Sequence, residues 1–134
     1  GYVYGQKQDW DKAIEFYQQA LEQLREEKEP YGPVLNGLGY VYEQTGQFDR
    51  AVSLYIQALE NDDNFGLINL LYVCASQNYC ANISKDKQME YAQRLLSLPS
   101  DDRDVRFYKE KYPERFALAQ QTAERLVAGV QELQ

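Results

Sequence analysis

Chemistry on a protein begins with side chains that can move protons, attack a substrate or hold a metal, and few of these stand in usable spacing here. The chain contains no histidine, which removes the commonest general base and every imidazole metal site. The run Gly37-Leu38-Gly39 superficially suggests a phosphate-cradling loop. Tyr42 stands where that loop needs its third glycine, however, and no strand precedes it. Asp62-Asp63-Asn64 lacks the alternating oxygen ligands, the following Gly and the closing Glu of a calcium loop, so it reads as a turn and helix cap. Asp101, Asp102 and Asp104 read likewise as a solvated helix start. Cys74 and Cys80 are six apart, fit no zinc or redox spacing, and are expected to be buried or half-buried free thiols, which favours a reducing compartment. Asn82-Ile83-Ser84 matches a glycosylation acceptor, a triplet that matters only in a secreted protein. No catalytic residue, metal ligand or cofactor is therefore expected, and the chain is not expected to be an enzyme.

Elements must position whatever function remains, and composition bounds them. At 134 residues, 44% hydrophobic and 26% charged, the chain fits a single folded domain able to bury a sizeable core, not a disordered tail. Its net charge of −7 argues against a nucleic-acid surface, which relies on clustered Lys and Arg. Acidic residues such as Glu26, Glu27 and Glu29 read as solvent-facing helix surface, and a basic partner is allowed without being demanded. The longest apolar stretch, around Leu67 to Ala75, is interrupted by Asn69 and falls short of the roughly 20 residues a bilayer span needs, so no membrane insertion is expected.

An internal repeat organises the sequence. From Leu35 it reads Leu35-x2-Leu38-Gly39-x2-Tyr42, followed by Ala51-x3-Tyr55-x2-Ala58. Upstream, Gly1-x2-Tyr4 and then Ala13-x3-Tyr17-x2-Ala20 repeat the same spacings, each position 38 residues earlier. This pattern resembles the tetratricopeptide repeat, with Leu35 in place of its Trp and Tyr55 in place of its Phe. The offset exceeds the usual 34 because the second helix of the first repeat runs on through Leu24 and Arg25 to Glu29 before Pro30-Tyr31-Gly32-Pro33 stops it. Long second helices of this kind resemble the extended-repeat branch of the family, which includes peptide-sensing bacterial regulators and motor-protein light chains.

The expected fold class is all-α, with antiparallel helix-turn-helix repeats stacked as a right-handed solenoid and closed by a C-terminal capping helix. Residues 1–31 form a partial first repeat, 32–64 the second, 65–99 a degenerate third, and 100–134 the C-terminal capping helices. The chain opens at Gly1 inside the pattern, so it reads as a segment of a longer protein. Gly39 and Ala51 are small because paired helices approach closely there, and Tyr42 and Tyr55 fill the space beside them. Pro33 suits a first helical turn and Gly46 a left-handed stop. In the first repeat a turn is expected near Gln8, which stands in the place of Gly46, with Trp10 in that of Phe48. Asn64 is expected to cap the next helix, which is apolar almost all round; no glycine there matches Gly39 in register. After a loop from Tyr79 to Ser84, a helix spans about Lys85 to Leu98 and ends before Pro99. A short helix covers Arg103 to Lys111, and Pro113 opens the last one. In that helix Phe116, Ala119, Ala123, Leu126, Val130 and Leu133 form a seam for capping, with weak self-association or further repeats as the alternatives.

What the resemblance implies about function is a partner protein or peptide held in the groove lined by the first helix of each repeat. Carried over position by position, the groove residues are Tyr2 and Gln6, then Asn36, Tyr40, Glu43 and Gln44, and in the third repeat Leu70, Cys74 and Gln77. One subclass of the family grips chaperone C-terminal carboxylates and carries Asn right after the motif glycine. Here Tyr2 and Tyr40 follow Gly1 and Gly39, which disfavours that use. The resemblance implies a cytoplasmic scaffold or adaptor; the alternative is a ligand- or peptide-sensing regulatory domain of a larger enzyme or transcription regulator.

Overall fold

A computed structural model of the chain describes residues 2–27, 32–61, 63–77 and 83–133. Among them the only regular structure is helical: α1 (Tyr2–Glu27), α2 (Gly32–Gln44), α3 (Phe48–Glu60), α4 (Asn64–Gln77), α5 (Lys85–Leu96), α6 (Arg103–Lys111) and α7 (Pro113–Leu133). Two compact units divide the chain, Gly1–Gly66 and Leu67–Gln134. The all-helical class expected from the repeats is the one found.

In the first unit α2 packs on both α1 and α3. A Cβ added at Gly32 would meet Asp63 and the Asn61 carbonyl, and one at Gly39 would meet Tyr55 and the Ala51 carbonyl. Contacts advance along α2 as they retreat along α3, so the pair is antiparallel. The chain reverses at Gly46, whose φ of 80° only glycine adopts without strain. There the Gln47 N–H donates to the Tyr42 carbonyl at 2.8 Å and the Gly46 N–H to the Glu43 carbonyl at 3.1 Å. These two bonds close a Schellman stop and satisfy carbonyls that the end of α2 would leave open. Leu21 from α1, Leu35 from α2 and Ala58 from α3 meet in the core, with Val34 and Leu54 packed against them. Full burial of a leucine such as Leu35 contributes roughly 1.5–3 kcal/mol.

Two expectations for this unit need correcting. No turn forms near Gln8, because α1 is one helix of 26 residues. Between Gly5 and Glu27 it holds no Gly, Pro or Asn, so nothing supplies the left-handed residue that stops α2. The start of α4 is capped by Asp63, whose Oδ1 accepts from the Phe65 N–H at 2.9 Å. Asn64 is already the first residue of the helix.

In the second unit α7 packs on α5 and on α6. Ser84 caps α5 by accepting from the Lys87 N–H at 3.3 Å, and Asp102 caps α6 by accepting from the Asp104 and Val105 N–H groups at 2.9 and 3.1 Å. The helix α5 stops at Leu96, two residues short of the expected end, with Ser97 as its C-cap. Along α7, Phe116, Ala119 and Ala123 of the anticipated seam are buried and Leu126 is half-buried. The side chains of Val130 and Leu133 lie outside the described residues, as do Cys80 and Asn82.

Charge is divided as sharply as the chain itself. The first unit contains 5 Lys and Arg against 12 Asp and Glu, whereas the second contains 9 of each. All of the net charge of −7 therefore belongs to the first unit.

Candidate functional site

Helical periodicity splits α2 into two faces. Leu35, Leu38, Val41 and Tyr42 are buried, and Gly39 is held against the Tyr55 ring, where an added Cβ would fall 2.8 Å from Cε1. Asn36, Tyr40 and Gln44 follow one another at steps of four on the other side. Asn36 is half-buried, Tyr40 is 39% exposed and Gln44 is exposed. An amide, a phenol and a second amide in one row can hydrogen-bond a peptide backbone while the ring supplies apolar contact.

Glu43 does not belong to that row. It is 9% exposed, and its Oε1 accepts a 2.7 Å hydrogen bond from the Tyr55 hydroxyl. One tyrosine thus braces the pair twice, its ring against Gly39 and its hydroxyl on Glu43. The physical reason for the correction is angular: Glu43 lies four residues from Gly39 and shares its inward side.

The third set separates in the same way. Leu70 is 0% and Cys74 3% exposed, so neither offers surface to a partner. Both belong to the buried run Leu67, Ile68, Leu70, Leu71, Val73 and Cys74 on α4. Gln77, on the last turn of α4, is exposed. Tyr2 and Gln6 fall on α1, but their side chains lie outside the described residues.

A second concentration of polar groups escaped the sequence reading. Asn69, 2% exposed within that apolar run, accepts on its Oδ1 from the Tyr108 hydroxyl at 3.0 Å and from Arg115 Nη1 at 3.1 Å. The Arg115 guanidinium also lies over the Tyr72 ring, 3.9 Å from its centroid. Tyr72, Lys111, Tyr112, Glu114, Arg115 and Leu118 line a concavity of about 560 Å³ beside this network. The signal was present in Asn69 itself, since an amide inside an apolar helix must find partners elsewhere in the chain.

Among the described residues no three His, Cys, Asp or Glu side chains converge as metal ligands, and no helix is long and apolar enough to cross a membrane. Residues 1–64 match the family model described as tetratricopeptide repeat. No curated protein and no solved structure gives a significant match to the chain.

Proposed function

We propose, from the premise that residues 1–64 belong to the tetratricopeptide repeat family, that the chain is a scaffold or adaptor holding a partner protein or peptide along the outward face of α2. Repeats of this family are generally protein-interaction modules. The observation that carries the reading is the row Asn36, Tyr40 and Gln44, with Tyr40 39% exposed on a helix whose opposite face is core. Holding a partner needs no chemical step, so no residue is assigned a catalytic or cofactor-binding role. We place the chain in the cytoplasm, a reducing compartment compatible with Cys74 as a buried free thiol.

The test combines Asn36→Ala with Tyr40→Ala. A partner recovered by affinity capture is purified and titrated against both forms of the chain by calorimetry. The double variant should bind at least about tenfold more weakly, roughly 1.4 kcal/mol, with its thermal melt nearly unchanged. Unaltered affinity would place the partner on another face, and unfolding would make these residues core.

A further inference from the structure

We propose that the concavity of the second unit binds an acidic segment of a partner protein, a carboxylate meeting Arg115 and Lys111 while a neighbouring apolar side chain rests on Tyr72 and Tyr112. This surface is separate from the α2 row and goes beyond the function proposed above.

Arg115 is held from two sides. Its Nη1 is anchored on the buried Asn69 at 3.1 Å, and its Cζ lies over the Tyr72 ring, 3.9 Å from the centroid. Both contacts restrict the side chain before any ligand arrives. A planar, always-charged fork that is already ordered loses little freedom on donating to a carboxylate, which makes such an arginine a better partner for acidic groups than a mobile one. An exposed lysine, Lys111 in the last turn of α6, and a tyrosine 49% exposed, Tyr112, stand on the same rim as Arg115.

The aromatic wall is also fixed. The Tyr112 ring lies 5.7 Å from that of Tyr108 and 6.2 Å from that of Phe107, itself 40% exposed. Tyr108 is in turn tied to Asn69. One amide therefore orients both the cation and the ring cluster that border the concavity. Its volume of about 560 Å³ lies within the usual range for small-ligand sites and suits a few side chains.

Charge selects the occupant. Glu114 shares the lining with Lys111 and Arg115, leaving one net positive charge there. The surrounding unit carries no net charge, whereas the first unit carries −7. An acidic segment is repelled by the first unit and accepted by this concavity; a basic segment has the opposite preference.

The probe is a fluorescein-labelled peptide of alternating Glu and Phe, compared with one of alternating Lys and Phe, titrated into the 134-residue chain and followed by anisotropy. The Glu-Phe peptide should bind more weakly at high salt, and Lys111→Glu should weaken it at least about tenfold. Lys111 is exposed, so this variant should keep its helical circular dichroism and melt. Arg115→Met should weaken the same peptide further, and Tyr40→Ala should leave its affinity unchanged. Failure of the Glu-Phe peptide to bind would overturn the proposal. So would equal binding to Lys111→Glu, equal competition by the Lys-Phe peptide, or loss of binding in Tyr40→Ala. Loss of binding in Tyr40→Ala would move the peptide to the α2 row; the other outcomes leave that row untouched, since its own test reads a purified partner against the double variant.

Discussion

A methyl group added at Gly66 would lie 2.7 Å from the Tyr55 carbonyl oxygen and 3.1 Å from the Leu59 nitrogen. Both neighbours are backbone and cannot rotate away. Gly66→Ala is therefore expected to lower stability by about 1–3 kcal/mol in urea denaturation. At Gly129 nothing stands within 4 Å of such a methyl, and Gly129→Ala in the interior of α7 should raise stability by roughly 0.5–1 kcal/mol. Equal effects at the two sites would refute the close approach at Gly66. A search for small residues in the register of Gly39 misses Gly66, because it lies 34 residues after Gly32 and repeats that position instead. Leu70 and Cys74 are buried where their repeat positions predict exposure, for a related reason. A position carried over from a repeat pattern places a residue on a face of its helix, but whether that face meets solvent depends on what the rest of the chain lays against it. Tyr40 and Glu43 make the same point three residues apart: the first stays exposed, while the second bonds to a tyrosine 12 residues away.

Helix ends were more legible than helix faces, since local chemistry sets them. Gly46 stops α2, Asp102 caps α6 and Pro113 opens α7 where the sequence places them. The turn expected at Gln8 shows the converse, for spacing without a breaking residue does not end a helix. At the start of α6 two aspartates with different roles can be told apart. Asp102 accepts two backbone bonds, and Asp102→Ala should cost about 1 kcal/mol. The Asp104 carboxyl is pushed above its ordinary value by burial and by the neighbouring Asp102 charge, with Arg103 opposing. The folded state then binds a proton more tightly than the unfolded chain does. Between the ordinary value and the raised one, this group's contribution to stability falls as pH rises. Asp104→Asn should flatten that decline and leave the melt at pH 7 unchanged or slightly higher. Melts of the two variants from pH 3 to 7 check this, and a loss at pH 7 in Asp104→Asn as large as that in Asp102→Ala would contradict it.

For the whole chain, the last helix is the element whose role matters most. We assign α7 a closing role because Phe116, Ala119 and Ala123 are already buried within the chain and α7 packs on both α5 and α6. Removing residues 113–134 would expose those partners and take Arg115 from Asn69. The truncated chain should aggregate or melt much earlier, while the intact chain sediments as a monomer at micromolar concentration. A stable truncated monomer, or an intact dimer that dissociates in Leu126→Asp without unfolding, would assign the seam to self-association.

The reach of Asn69 also bears on the order in which the chain can fold during synthesis. Glu43 and Tyr55 are 12 residues apart, so the α2 and α3 pair is complete soon after it is made. Asn69 waits 39 residues for Tyr108 and 46 for Arg115. At about 5–20 residues per second, translation alone delays the second partner by roughly 2–9 s. Until both have emerged, α4 carries an apolar face whose central amide has yet to complete these two bonds. A nascent chain stalled before Arg115 should accordingly be the form that holdase chaperones retain.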